Sequence, residues 1–217
     1  MSIEHVLFDL DGTLTDPAQG ITNSIIHSLK YFNIEVKDRT ELYSCIGPPL
    51  IECYMKMWGF SLEDAKKALE VYREYFSVKG LFENEVYDGI EDMLKSLCAS
   101  GKKLYLATSK PEVYAKRILE HFNLDGYFTF IAGNSLTEDR SKKSDVIKYL
   151  FASCPQLEKD NAIMVGDREY DVFGARECSL DCIGVLYGYG SREEIEKAEA
   201  KYICESVTDL ESLLLTL

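Results

Sequence analysis

The run Val6-Leu7-Phe8-Asp9-Leu10-Asp11-Gly12-Thr13-Leu14-Thr15-Asp16 holds the residues best suited to chemistry in this chain. Asp9 and Asp11 stand two apart, after an apolar stretch that reads as a short buried strand, and Gly12-Thr13 are turn formers. Residues two apart on a strand point to the same side, so a straight continuation aims both carboxylates at one spot. Two carboxylates there repel and raise each other's pKa unless a cation sits between them or one keeps a proton. A Mg²⁺ ion, with one carboxylate as nucleophile and the other as acid and base, resolves that conflict. A plain Asp-Gly turn at a strand end accounts for the same letters. The pair therefore takes its meaning from what other elements place beside it.

Those elements change character along the chain. After Asp16-Pro17, Ile21, Ile25, Ile26, Leu29 and Phe32 fall at helical spacing, and further helical segments are predicted over 38–46, 50–58 and 61–78, with no strand between 18 and 80. From about residue 88, apolar strands alternate with amphipathic helices. Strands are predicted at 103–108, 127–132, 161–165, 181–186 and 201–204, and helices at 88–100, 111–122, 142–152, 169–178 and 206–215. That alternation marks an α/β domain with a parallel sheet and helices on both faces. The first strand belongs with this later set. Residues 1–15 and 83–217 are thus expected to form the α/β core, and residues 16–82 an all-helical insertion after the first strand.

In such sheets function gathers at the carboxyl ends of the strands. Strand one ends in Asp9-Leu10-Asp11, strand 103–108 in Thr108-Ser109-Lys110, and strand 161–165 runs into Gly166-Asp167-Arg168-Glu169-Tyr170-Asp171. Lys142-Lys143 opens the helix after strand 127–132. Hydroxyls and backbone N–H groups suit phosphate oxygens, a lysine suits the charge of a phosphoryl group, and carboxylates suit an oxygen-ligated Mg²⁺.

In order and spacing, Asp9-Leu10-Asp11-Gly12-Thr13, Thr108, the downstream lysine and Gly166-Asp167-x-x-x-Asp171 resemble the haloacid dehalogenase-like superfamily, in its phosphatase branch. The resemblance spans the whole chain and implies a Rossmann-like core with a helical cap domain. It implies Asp9 as a nucleophile that forms an aspartyl-phosphate, and Asp11 as the group that protonates the leaving oxygen and then activates water. It places Mg²⁺ on Asp9, the Asp11 carbonyl and Asp167, with Asp171 supporting that site from behind. Thr108 and Ser109 would hold the phosphoryl group. Lys143 fits the family's lysine because Lys143-Ser144-Asp145-Val146-Ile147 follows its pattern of lysine, any residue, acid and two apolar residues; Lys142 is the alternative. Ser144 and Arg168 depart from the residues many relatives carry, without removing a catalytic group.

The turn Gly47-Pro48-Pro49 is the expected substrate loop of the cap, with a helix–helix connector as the competing reading. Together with Tyr187-Gly188-Tyr189-Gly190-Ser191, read as a flexible loop on the same sheet edge, it is similar to the phosphoglycolate phosphatase group and its 5′-nucleotidase-like relatives.

Composition narrows the classes. The net charge of −13 opposes a nucleic-acid polymer but not a small phosphorylated metabolite held by local cations and a metal. No apolar run reaches membrane-spanning length, and the N-terminus lacks the features of a signal peptide, so a cytoplasmic protein is expected. Seven scattered cysteines with no Cys-x-x-Cys argue against a disulfide framework or a zinc site. A phosphosugar mutase of the same fold and a metal-independent dehalogenase are rival enzymes, and Asp11 and Asp167 count against the dehalogenase. A non-catalytic phospho-acceptor signalling domain is the rival of another class, and such a module needs no cap. Nothing in the sequence sets the oligomeric state.

Overall fold

A computed structural model of the chain describes residues 2–137 and 139–217. The chain divides into two compact units, residues 1–15 with 86–217, and residues 16–85.

The first unit is built on a parallel sheet. Strands β1 (His5–Phe8), β4 (Lys103–Pro111), β5 (Phe128–Asn134), β6 (Ala162–Gly166), β7 (Asp181–Val185) and β8 (Tyr202–Cys204) lie in the order β5-β4-β1-β6-β7-β8. Every pairing is parallel, so each connection must cross over, and helices supply the crossings. They are α4 (Ile90–Ala99), α5 (Glu112–His121), α6 (Lys143–Ser153), α7 (Glu169–Glu177) and α8 (Arg192–Lys197), and α9 (Val207–Thr216) follows the last strand. The sheet is apolar on both sides, and β1 at its centre is buried throughout. Leu7 aligns with Tyr105 and Met164 across the three middle strands, and these side chains share one core with Val146, Ile147 and Leu150 of α6 and with Val172 and Ala175 of α7. Strand alternation turns Val6, Phe8, Leu104 and Leu106 to the opposite face. Because β1 lies between β4 and β6, the strand order switches direction there, and in such sheets functional groups gather at the carboxyl ends beside the switch.

The second unit consists of α1 (Ala18–Tyr31), a 3₁₀ segment at Arg39–Cys45, α2 (Leu50–Trp58), α3 (Leu62–Tyr75) and a π turn at Phe76–Gly80. Helix α3 packs against both α1 and α2. Its core holds Ile25, Leu29, Leu42, Tyr54, Ala68 and Tyr72, with the Tyr54 hydroxyl hydrogen-bonded to Ser28 Oγ. Two-residue strands β2 (Thr15–Asp16) and β3 (Glu85–Val86), where the chain passes between units, pair with each other.

Besides the added short elements β2, β3 and α8, three expected elements differ in extent or type. The helix predicted to reach residue 78 ends at Tyr75, where the hydrogen bonding loosens and Leu81 N–H returns to the Phe76 carbonyl. Segment 38–46 is 3₁₀, started by the Asp38 carboxylate accepting from Thr40 N–H and stopped before Pro48 and Pro49. Strand β4 continues to Pro111, three residues beyond its expected end. Among the described residues no helix is long and apolar enough to cross a membrane.

Leu7 is fully buried at the middle of the sheet, so Leu7→Ala should lower the unfolding free energy by about 2–5 kcal/mol, read from urea denaturation.

Candidate active site

The site grows out of the end of β1. Asp9 N–H still donates to the Val165 carbonyl (2.9 Å), which carries the parallel ladder one residue past Phe8 and fixes Asp9 at the sheet edge. The chain then turns tightly. The Leu10 carbonyl accepts from Thr13, Leu14 and Thr15 N–H, and Gly12 N–H donates to the Thr15 carbonyl. Gly12 has φ +82°, and a Cβ there would lie 2.1 Å from Asp167 Oδ2, so the turn tolerates only glycine. The bend separates the two aspartates, and each carboxylate has its own lysine.

Lys143, the first residue of α6, serves Asp9. Its Nζ forms ion pairs with Asp9 Oδ1 (2.8 Å) and Asp171 Oδ1 (2.8 Å) and donates a hydrogen bond to the Ala107 carbonyl (2.8 Å). Burial alone would lower the Lys143 pKa, but the Asp171 and Asp9 carboxylates hold it above its ordinary value. Helix α7 reaches Lys143 closely enough that a Cβ on Gly174 would lie 2.6 Å from Lys143 Cβ. Lys142 is exposed. The lysine among the carboxylates is therefore Lys143.

Asp167 follows β6, and Asp171 lies in the first turn of α7. Asp171 Oδ2 accepts from Arg168 N–H (3.1 Å), and Arg168 in turn pairs with Glu194 of α8 at 2.8 Å, so the residue that departs from the family pattern anchors this turn. Carboxylate oxygens of Asp9, Asp167 and Asp171 all lie within 4.8 Å of one another. Burial, then the neighbouring Asp171 charge, raises the Asp167 carboxyl well above the usual range. Burial likewise raises Asp171 to about 6, against the pull of Lys143. Asp167 Oδ2 accepts from Tyr189 N–H (2.8 Å), but its buried Oδ1 has no hydrogen-bond partner. A crowded set of buried carboxylates with one orphaned oxygen fits a hard, oxygen-ligated cation.

At the end of β4, the buried Thr108 Oγ1 accepts from Lys110 N–H (3.2 Å), and Ser109 is half-buried beside it. Gly47, Pro48 and Pro49 belong to the helical unit, where they form the turn between the 3₁₀ segment and α2.

Sequence reasoning gave Lys110 no role. Its Nζ lies 2.7 Å from Asp11 Oδ1, with both side chains largely buried. The signal was its spacing of two from Thr108, which the early strand end concealed. The loop expected to be flexible is fastened to the site, with Tyr187 OH donating to the Thr13 carbonyl (3.0 Å) and Tyr189 N–H to Asp167. Burial raises the Tyr187 phenol pKa, consistent with a role as a neutral donor.

Residues 6–185 match the haloacid dehalogenase-like hydrolase family. The chain belongs to that family. It is 42% identical over 210 residues to a 5′-nucleotidase of Pseudomonas aeruginosa, covering 97% of this chain and 95% of the relative. It is 38% identical to the tyrosine-protein kinase PtkA of Mycobacterium tuberculosis, covering 95% of this chain and 70% of that protein. A predicted phosphatase from Clostridium acetobutylicum has the same fold, with a TM-score of 0.96 and 51% identity over 100% of both chains. With this family and these neighbours, the chain is a haloacid dehalogenase-like phosphatase.

The two adjacent lysines give a clean contrast. Lys143→Met should reduce phosphatase turnover by at least about 10²-fold, because it removes the ammonium between Asp9 and Asp171. Lys142→Met should stay within about twofold of wild type, as expected for an exposed residue. Initial rates of phosphate release on both variants check this.

Proposed function

We propose that this phosphatase hydrolyses a small phosphomonoester, of the nucleoside 5′-monophosphate or phosphoglycolate class, through an aspartyl-phosphate on Asp9. The observation that carries the reading is the Lys143 ammonium between Asp9 and Asp171, next to a buried carboxylate with an orphaned oxygen. Asp9 Oδ attacks phosphorus and the ester oxygen leaves. Lys143 holds Asp9 in place and offsets the negative charge that attack brings against it. Thr108 and Ser109 receive the phosphoryl oxygens at the end of β4. Asp11 gives its proton to the leaving oxygen as that bond breaks. It then takes a proton from water, which attacks the aspartyl-phosphate, releases inorganic phosphate and restores Asp9. Mg²⁺ is the cation this reading assigns to Asp9, Asp167 and the Asp11 carbonyl, where it would supply positive charge to the phosphoryl group when bound. Asp171, engaged by Lys143 and Arg168 N–H, supports that set. Substrate selection falls to the helical unit, with Gly47-Pro48-Pro49 as its substrate loop. The 5′-nucleotidase relative favours the nucleotide class.

The test is phosphate release from p-nitrophenyl phosphate and from a panel of nucleoside 5′-monophosphates, phosphoglycolate and sugar phosphates, ranked by kcat/KM. Turnover should vanish with EDTA and return with Mg²⁺. Asp9→Asn should abolish both turnover and phosphoenzyme, since an amide is a poor nucleophile. Near-normal activity in that variant would remove Asp9 from the mechanism.

A further inference from the structure

We propose that Lys110 is the positioning residue for the acid step of Asp11, so that it governs how well the enzyme expels a basic leaving group. The inference rests on the reading above, and it begins with a break in the sheet. Ala107 of β4 faces Ala132 of β5, but the next registered pair is Pro111 with Asn134, four residues along one strand against two along the other. The surplus backbone, Thr108 to Lys110, bulges from the ladder at its carboxyl end, and bulges re-aim side chains beside active sites. Here the bulge does two things with one residue. Lys110 N–H donates to Thr108 Oγ1, and Lys110 Nζ sits 2.7 Å from Asp11 Oδ1 with little exposure on either side chain.

That contact has a direction in chemistry. With Oδ1 held by the ammonium, the proton of Asp11 is left to its other oxygen, and the carboxyl has one orientation. As the proton moves to the leaving oxygen, negative charge grows on Asp11 beside an ammonium already in place. A charge that develops next to a preorganised cation costs least in a site shielded from water. Lys143 is engaged elsewhere, ion-paired with Asp9 and Asp171 and hydrogen-bonded to the Ala107 carbonyl. Lys110 thus orients the carboxyl that donates the proton, in the step that matters in proportion to the basicity of the leaving group.

The experiment compares kcat/KM for p-nitrophenyl phosphate with that for phenyl phosphate, because this constant reads the steps through phosphoenzyme formation. p-Nitrophenolate leaves readily without a proton, whereas phenolate, with a conjugate acid near the pKa of about 10 of a tyrosine side chain, needs one. Lys110→Met should lower kcat/KM for both substrates, with a loss for phenyl phosphate at least about tenfold the larger. Lys110→Arg should recover part of that ratio. In an Asp11→Asn background, Lys110→Met should no longer change the ratio, since the residue through which it acts is gone. Lys110→Gln keeps a donor without the charge and reads the same ratio if the methionine variant fails to fold. An equal loss on both substrates in every folded variant overturns the proposal, as does an undiminished effect in the Asp11→Asn background. A wild-type chain that releases no phosphate from any phosphomonoester ends the underlying reading as well. Wild-type turnover that Asp9→Asn abolishes, combined with an unchanged ratio, ends only this one.

Discussion

Four carboxylates gathered at one edge of a buried sheet are the constraint around which the first unit is arranged. Asp9, Asp11, Asp167 and Asp171 come from β1, the turn behind it, the end of β6 and the start of α7. Taking such groups from water disfavours their charged forms, and each neighbour makes ionisation of the next harder. The raised carboxyls of Asp167 and Asp171 record that cost, in both cases with burial as the leading cause. Lys143 is the principal local offset. It approaches from the N-terminal end of α6 and binds two of the four carboxylates and a β4 carbonyl at once. Its stem passes so close to Gly174 that α6 and α7 must pack tightly, and the same two helices cover the core beneath Leu7 and Met164. Packing and electrostatics therefore share residues. A looser α6–α7 contact would leave the carboxylates without their cation.

The remaining imbalance has a structural address. Asp171 spends its oxygens on Lys143 and on the N–H of Arg168, while Asp167 keeps one oxygen without a partner. Arg168 sits next to this acid yet turns away to Glu194, which also accepts from Glu169 N–H. Its charge is thereby committed to holding the start of α7. A guanidinium folded onto Asp167 would satisfy the orphaned oxygen and remove the reason for a cation there. The arrangement keeps the deficit at Asp167, whose carboxylate lies within 4.8 Å of those of Asp9 and Asp171.

Much of this frame is legible in the sequence because its signals are local. Alternating apolar strands and amphipathic helices mark a parallel sheet, and strand ends identify Asp9, Thr108 and Asp167 without any knowledge of packing. The acid and apolar residues after Lys143 match the pattern of the family's lysine, and the structure buries Lys143 and leaves Lys142 exposed. What escaped depends on contacts far apart in the chain. Lys110 stands in the sequence only as the last residue of the strand end Thr108-Ser109-Lys110, and its tie to Asp11 shows only once β4 is seen to bulge and run on to Pro111. Tyr187-Gly188-Tyr189-Gly190 has the composition of a mobile loop, and only the Thr13 carbonyl and Asp167, about 175 and 20 residues away, make it fixed. Strands of two residues, such as Thr15–Asp16 and Glu85–Val86, are too short for alternation to register at all.

The opening Asp-x-Asp pair shows why such distant contacts matter to the chemistry. On an unbroken strand Asp9 and Asp11 would be near-equivalent acids competing for the same cation. The turn at Gly12 breaks that symmetry, and α6 and β4 then provide a separate lysine for each. Asp9 meets the lysine of a helix N-terminus, shared with Asp171, whereas Asp11 meets the lysine of a strand bulge, tied by its backbone to Thr108. A change at one ammonium acts first on the carboxylate it contacts, although the two carboxylates are two residues apart. Burial raises the Asp11 carboxyl, and the Lys110 ammonium opposes that rise. A pair whose spacing alone makes its members alike becomes a pair whose surroundings make them different.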